Sequence, residues 1–178
     1  MFRPFLVSIF SLFLTIAFLP AQAGATKTRS VDEKLFSVQL PAAPSSVREV
    51  TDKGGKDPGR KTKSYRGKSG ELEFELIVVE YTKNDLQGIS PADYMRGYRT
   101  AESNAVERKK GKVIEDKGIS RDGFGGLSLL LEDANKKLLH FVWYAADDRV
   151  YQLKLSGPKT AVESAEGKQF FDSFKLKK

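Results

Sequence analysis

Histidine is the side chain best suited to acid–base chemistry near neutral pH, and it occurs once in this chain, as His140. In an extended strand its side chain shares a face with Val142 and Tyr144. Catalysis by a serine–histidine–acid triad would require a serine and a carboxylate from elsewhere, and the sequence contains no G-x-S-x-G nucleophile motif. We therefore interpret His140 as a half-buried strand residue with one hydrogen bond, and we assign no catalytic residue.

Metal and redox chemistry are restricted by the composition. The chain has no cysteine, which excludes a thiol nucleophile, a thiol redox pair and a cysteine-ligated zinc or iron–sulfur site. A single histidine also excludes a multi-histidine metal centre. The acidic turns at Glu132-Asp133 and Asp147-Asp148 could bind calcium, but the D-x-D-x-D-G loop of the EF-hand is missing. The sequence predicts neither a metal site nor a cofactor.

Three carboxylates, Glu71, Glu73 and Glu75, alternate along one predicted strand. A glycoside hydrolase needs two carboxyl groups that converge on one cleft. Carboxylates spaced in this way more commonly keep one face of a strand hydrated. A hydrolase of envelope material that uses carboxylates alone stays open as an alternative function.

Aromatic residues form the best candidate for a ligand pocket. Two tyrosines lie on a predicted helix and the remaining rings on predicted strands, so a pocket between helix and sheet would receive hydroxyl groups from both. The alternative is that these rings are simply core. The candidate pocket residues are Tyr81, Tyr94, Tyr98, His140, Trp143 and Tyr144.

Cations are concentrated in three clusters, the third being Lys175, Lys177 and Lys178, in a chain whose formal net charge is +7. A basic surface favours anionic partners, here an anionic lipid or a cell-wall polymer. No aromatic residue is interleaved among the cations, as a binder of single-stranded nucleic acid would require, so we predict no nucleic-acid partner. The alternative is an ordinary lysine-rich surface. The candidate contacts are Lys53, Lys56, Arg60, Lys61 and Lys63 in the first group, and Arg108, Lys109, Lys110 and Lys112 in the second.

The N-terminus has the pattern of a secretory signal peptide. Arg3 precedes an apolar run from Phe5 to Leu19, Pro20 ends the run, and Ala21-Gln22-Ala23 suits signal peptidase. The run is short for an uncleaved spanning helix, which needs about 20 apolar residues. We predict cleavage near Ala23, no transmembrane anchor afterwards, and a soluble protein in the periplasm or outside the cell.

The remaining chain is predicted to form a flexible stub over residues 24–34 and a single α+β domain over residues 35–178. Phe36, Val38 and Leu40 alternate with polar residues as in a half-buried strand. Ser90, with Pro91 and Asp93 after it, predicts the start of a helix. An antiparallel meander follows, and a second helix is predicted from Thr160, with Glu163 as its capping-box acid. The predicted fold is a twisted antiparallel β-sheet covered by two amphipathic helices.

The order of elements resembles small exported bacterial proteins of the PsbP/Mog1-like type. The resemblance is carried by Phe36-Ser37-Val38-Gln39-Leu40-Pro41, by the turn at Gly123 to Leu127, by Tyr151-Gln152-Leu153-Lys154-Leu155 with Gly157-Pro158, and by Phe170 to Leu176. It implies an α/β/α sandwich over roughly the whole mature chain. It implies no activity, because such motifs mark core and turns.

The leading functional hypothesis is therefore a non-catalytic exported domain that binds a protein or envelope component, or that supports an assembly. The alternatives are the carboxylate hydrolase and an electrostatic binder of anionic membrane or cell-wall surfaces.

Overall fold

A computed structural model describes residues 29–53 and 59–177. The predicted signal peptide lies outside the described residues. The strands are β1 (Arg29–Asp32), β2 (Phe36–Leu40), β3 (Ser46–Thr51), β4 (Lys61–Ser69), β5 (Leu72–Glu80), β6 (Lys112–Arg121), β7 (Phe124–Glu132), β8 (Leu138–Ala146), β9 (Arg149–Gly157) and β10 (Lys175–Leu176). The helices are α1 (Pro91–Arg108), α2 (Lys159–Val162) and α3 (Ala165–Asp172).

Seven strands form the main sheet, in the order β3-β4-β5-β9-β8-β7-β6, and every neighbouring pair is antiparallel. Short turns connect most of these strands, which favours antiparallel pairing. A second sheet of three strands, β1-β2-β10, is also antiparallel. The α+β class predicted from the sequence is confirmed.

The two faces of the main sheet build two separate cores, because side chains alternate along each strand. On the first face, Leu76, Leu153 and Phe174 belong to a cluster that the small sheet, α2 and α3 help to cover. On the second face, Phe141 and Trp143 belong to a cluster covered by α1. Strand β8 contributes to both clusters, which explains why its sequence is apolar on both sides.

Helix α1 begins where the sequence predicts. Ser90 adopts an extended backbone as N-cap, and its Oγ accepts from the Asp93 N–H at 3.2 Å. The Asp93 carboxylate accepts in return from the Ser90 N–H at 2.9 Å. Hydrogen bonds to this carboxylate from the Ser90 hydroxyl, at 2.6 Å, and from the Ser90 N–H hold the pKa of Asp93 down, at about 2. The capping box therefore fixes the direction in which α1 leaves the sheet.

Three features differ from the predicted fold. The predicted stub contains a strand, since Arg29–Asp32 pairs with β2, from Arg29 opposite Leu40 to Asp32 opposite Ser37. The second predicted helix is two helices, α2 and α3, so the described chain has three helices and not two. The third difference is that α1 makes its main contacts with β6 to β9 and meets the end of β5 through Tyr81, so it leaves part of one face of the main sheet uncovered.

The break between α2 and α3 has a local cause. Ser164 caps α3, with its Oγ accepting from the Gly167 N–H at 3.1 Å, whereas α2 starts after Pro158 without a side-chain cap. A Cβ on Gly167 would lie 2.3 Å from the Val162 carbonyl oxygen, so only glycine permits the close approach of the two helices. The predicted capping pair, Thr160 with Glu163, is therefore replaced by Ser164.

Replacing Ser164 with alanine should lower the free energy of unfolding by about 1 kcal/mol, because one helix N–H loses its acceptor. Glu163→Ala is the matched control, and its free energy of unfolding should stay within about 0.5 kcal/mol of the wild type. The Glu163 carboxylate is exposed, and its ion pair with Lys159 is long, at 3.9 Å, so it contributes little. Urea denaturation of both variants measures the difference. If Glu163→Ala were the more damaging change, a helix continuous from Thr160 would be indicated instead.

Candidate binding site

The aromatic residues predicted to line one pocket are divided between the two faces of the sheet. Those on the second face pack with α1 in its core cluster, and those on the first face lie beside α3. They therefore cannot line a single pocket, because the sheet separates them. The first group is Tyr81, Tyr94, Tyr98 and Trp143, and the second is His140 and Tyr144.

The tyrosines of the second face form a packed contact between α1 and the end of β5. The rings of Tyr81 and Tyr94 stack with centroids 4.3 Å apart, and the Tyr81 and Tyr98 hydroxyl oxygens are 2.7 Å apart. Burial raises the pKa of Tyr81. On β8, the Trp143 Nε1–H donates to Gln152 Oε1 at 2.8 Å. These polar groups bond to one another, so we interpret them as an anchor between α1 and the sheet.

His140 lies in a groove of about 320 Å³ between the first face and α3. Its Nε2 is 3.0 Å from the Ser128 Oγ, and its ring lies 4.4 Å from the Phe171 ring, between centroids. Burial lowers the pKa of His140 to about 4. The sequence-based interpretation of one hydrogen bond on a half-buried strand agrees with this geometry.

The Ser128–His140 contact is a poor hydrolytic pair. A general base works best with a pKa near the working pH, and this imidazole is neutral but weakly basic. Ser128 is only 4% exposed, so its hydroxyl cannot meet a polymeric substrate without rearrangement. The contact satisfies two polar groups at the edge of the core, and we assign it a structural role.

The two basic groups lie at opposite ends of the main sheet. Lys61 pairs with Glu80 in the β4–β5 register, and Lys112 pairs with Glu132 in the β6–β7 register. Strand β8 runs between these ends, with Ala146 near the first and Leu138 near the second. The candidate cations therefore cannot form one continuous anion-binding surface. Lys56 lies outside the described residues.

Several of these cations already have partners. The Nζ atoms of Lys61, Lys63 and Lys112 lie 3.7, 2.6 and 3.4 Å from carboxylate oxygens of Glu80, Glu33 and Glu132. Arg60 lies over the Tyr81 ring at 6.0 Å. Lys53 is exposed, as are Arg108, Lys109 and Lys110 at the end of α1. Because carboxylates neutralise part of the positive charge of these two groups, a purely electrostatic contact with a membrane is less favoured.

A surface that the sequence does not predict lies beside α1 on the second face. Because α1 lies mainly over β6 to β9, the same face of β3, β4 and the first part of β5, up to Ile77, stays accessible, whereas Val79 is buried with α1. Two adjoining grooves, of about 420 and 330 Å³, share Arg66 in their walls. We call this surface the open face; it consists of Arg48, Val50, Thr62, Ser64, Arg66, Lys68, Glu73, Glu75, Ile77 and Lys154.

The sequence carries one signal for the open face. Strand β4 places polar residues at every second position, Thr62, Ser64, Arg66 and Lys68, as expected for a face that meets water. Its partner β3 is exposed along its whole length, with Val50 42% exposed. Strand β3 is therefore an edge strand whose outer backbone groups face no other strand of this sheet.

Cations outnumber carboxylates on the open face. Arg66 is paired with Glu75, while Lys68 and Lys137 both approach Glu73, at 3.7 and 2.9 Å. The hydrogen bond from Lys137 is the main reason that the pKa of Glu73 lies below its ordinary value. Two further cations, Arg48 and Lys154, have no carboxylate within salt-bridge distance among the described residues; the Lys154 Nζ lies 5.2 Å from the centre of the Phe141 ring.

This arrangement does not suit carboxylate catalysis. A glycosidase keeps one carboxylic acid protonated by a raised pKa, opposite a second carboxylate. Here Glu73 has a lowered pKa, and Glu75 stands beside it on the same strand, paired with Arg66. Within the described residues, no group of three or more histidine and acidic side chains is placed to hold a metal ion.

Comparison with known proteins identifies the fold. No family model and no curated protein sequence matches the chain. The solution structure of cyanobacterial PsbP (CyanoP) from Synechocystis sp. PCC 6803 superposes with a TM-score of 0.53 at 12% sequence identity, covering 88% of this chain and 96% of that one. The chain has a PsbP-like fold. The resemblance drawn from Phe36 to Pro41 and from Phe170 to Leu176 is thereby confirmed at the level of fold.

A second structure is less similar to this PsbP-like chain. PA94 from Pseudomonas aeruginosa, a protein of unknown function, matches with a TM-score of 0.35 at 12% identity, covering 76% of this chain and 85% of that one. Neither likeness transfers an activity. None of the helices within residues 29–53 and 59–177 combines the length and the apolar character that crossing a bilayer requires.

Proposed function

We propose that this PsbP-like chain is a non-catalytic, exported binding or assembly-support domain, and that it binds an acidic segment of a protein partner on the open face. The observation that carries the proposal is the combination of an uncovered sheet face, an exposed edge strand and an excess of cations in one place. Export rests on the N-terminal sequence pattern of residues 1–23.

The chemistry of the open face favours a protein partner over a lipid surface. Its apolar groups, Val50 and Ile77, lie among arginine and lysine side chains in grooves, a mixture typical of the polar rim and apolar centre of protein interfaces. Arg48 and Lys154 supply charge that carboxylates of a partner could neutralise. Lys61 and Lys63 alternate with Thr62 and Ser64 along β4, so they lie on the opposite face, where carboxylates pair with them. They therefore add little to the attraction of the open face for a flat membrane.

Site-specific photocrosslinking in the cell that makes the protein tests the proposal. A benzoylphenylalanine at Ser64, inside the open face, should give one discrete protein adduct. The same probe at Asn104, exposed on α1, should not give that adduct. The combined charge reversal Arg48→Glu and Lys154→Glu should reduce the adduct about fivefold, which corresponds to roughly 1 kcal/mol from two exposed charge pairs.

Lys168→Glu, an exposed change on α3, is the charge control and should leave the yield unchanged. Adduct yields that are equal at Ser64 and Asn104, or that ignore the reversal on the open face, would contradict the proposal. Salt-sensitive binding to anionic vesicles that survives the reversal would favour the electrostatic membrane alternative instead.

A further inference from the structure

A small pocket opens on the first face, away from the open face. It lies between the turn that joins β1 to β2 and strands β3, β4, β5 and β9, and its volume is about 160 Å³. An apolar cavity of about 150 Å³ is large enough to bind benzene, so this one has room for a single small side chain. We call it the Tyr151 pocket.

The floor of the Tyr151 pocket is apolar, with one polar atom. Phe36 and Tyr151 meet edge to face with ring centroids 5.6 Å apart, and Val78 lies beside them. Tyr151 is 2% exposed, yet its hydroxyl has no hydrogen-bond partner among the described residues. Burial raises the pKa of Tyr151 to about 12, so the hydroxyl stays neutral and can donate or accept. The hydroxyl oxygen is not fully enclosed by protein, and Tyr151 lines the pocket, so this group can hydrogen-bond to a ligand there.

Most charged side chains on the rim of the pocket form ion pairs with one another. The Glu33 carboxylate accepts from Lys63 at 2.6 Å and from the Tyr65 hydroxyl at 2.7 Å. The Glu80 carboxylate accepts from Arg149 at 2.8 Å. These bonds keep the pKa values of both carboxyl groups below their ordinary range. They also hold the rim in a fixed shape, which limits the ordering that a ligand must impose.

Two charged side chains on the rim, of opposite sign, form no ion pair with another described residue. Lys34 lies on the β1–β2 turn, and Glu49 lies on β3, opposite Lys63 in the strand register. Neither forms a hydrogen bond or an ion pair with another described residue. One wall of the pocket therefore offers a cation and another offers a carboxylate, above an apolar floor with an unpartnered hydroxyl.

We propose that the Tyr151 pocket binds a small zwitterion with an apolar group, of the class of free apolar amino acids. The apolar group would rest on Phe36 and Val78, the ligand carboxylate would face Lys34, and its ammonium would face Glu49. The Tyr151 hydroxyl would hydrogen-bond to the ligand at the floor. The site is independent of the proposed contact on the open face.

A matched set of three ligands tests the proposal by calorimetry and by amide chemical shifts. Leucine carries both charges, 4-methylpentanoate lacks the amine, and 3-methylbutylamine lacks the carboxylate. Leucine should bind saturably and shift amides around Tyr151, and each truncated ligand should bind at least about tenfold more weakly, as expected for losing a charged contact.

Two variants locate the contacts without disturbing the core. Tyr151→Phe removes only the hydroxyl and should weaken leucine about fivefold, whereas Glu49→Gln should weaken leucine but leave 4-methylpentanoate unchanged. Arg48→Gln, whose side chain lies on the opposite face of β3, is the control and should bind leucine normally. Absence of saturable leucine binding at about 10 mM, far beyond a Kd of 1 mM, would overturn the proposal. So would equal binding of leucine and 4-methylpentanoate.

Discussion

Replacing Arg121 with methionine is expected to lower the free energy of unfolding by about 3 kcal/mol, a large fraction of the ~5–15 kcal/mol that holds a domain together. Arg121 is the last residue of β6, at the edge of the main sheet. Its Nη1 lies 2.7, 2.9 and 2.8 Å from the main-chain carbonyl oxygens of Phe171, Asp172 and Phe174. Methionine keeps the aliphatic stem and removes every donor.

The reason for the large effect is the position of those carbonyls. They belong to the C-terminal end of α3 and the residues after it, where helix carbonyls lack intrahelical partners and carry partial negative charge. A hydrogen bond with a charged donor contributes about 1.5–3 kcal/mol, and the orphaned acceptors would be only partly hydrated in the folded state. The side chain of Arg121 is 25% exposed, which limits replacement by water.

Two controls separate this contact from general loss of charge. Arg121→Lys keeps the charge but not the planar donor group, so about half of the stability should return. Lys117→Met, four residues earlier on β6 and paired only with the exposed Glu115, should cost less than about 0.5 kcal/mol. Urea denaturation measures the free energy of unfolding of all three variants. If Arg121→Met had the same urea midpoint as the wild type, the hydrogen bonds from Arg121 to these carbonyls would not contribute to stability.

Local patterns in the sequence predict the elements that their own residues determine. The alternation of Phe36, Val38 and Leu40 defines β2, which has the burial pattern expected of it. The capping box of Ser90 and Asp93 defines the start of α1. In both cases the deciding interactions join residues within a few positions of one another, so sequence spacing contains the information.

Features that depend on distant residues could not be predicted in this way. The strand at Arg29–Asp32 exists because β2 offers an edge, and its own sequence has no clear alternation. The split after α2 is local by comparison, but it depends on a packing distance, from Gly167 to the Val162 carbonyl oxygen, that residue spacing does not encode. Arg121 is 50 positions from Phe171, so no local motif marks their hydrogen bond.

The candidate sites also divide into those that local sequence patterns predict and those that depend on residues far apart in the chain. The sequence identifies His140 as the one imidazole and predicts its structural role from the absence of a partner motif. It could not predict the open face, because that surface exists only where α1 leaves β3, β4 and the first part of β5 uncovered. Nor could it predict the Tyr151 pocket, which brings Lys34 from the first turn together with Glu49 and with Tyr151, more than a hundred positions later.

Between pH 7 and pH 5 the wild-type protein should lose about 2 kcal/mol of stability because of His140 alone. Burial lowers the folded-state pKa of His140 to about 4 from its ordinary value of 6.5. Below pH 6.5 the imidazole of His140 is protonated in the unfolded chain but stays neutral in the folded chain. Lowering the pH therefore favours unfolding, until the folded imidazole also becomes protonated near pH 4. The carboxylates with lowered pKa values, such as Glu33, Glu73 and Glu80, act in a separate and more acidic window, from their ordinary value of 4.5 downward.

His140→Gln should remove most of this pH dependence, because glutamine does not titrate. Ser128→Ala removes the hydrogen bond but leaves the imidazole buried. This variant should therefore keep the dependence of stability on pH, while its free energy of unfolding is lower than that of the wild type at every pH. The remaining influences on the pKa are electrostatic and come from β6, where Glu115 raises it and Lys117 lowers it. Proton NMR measures the titration directly, because the untagged protein has one histidine and one Hε1 signal. A midpoint near 6.5 in the folded protein would mean that water reaches the ring, and the loss of stability between pH 7 and pH 5 should then vanish with it.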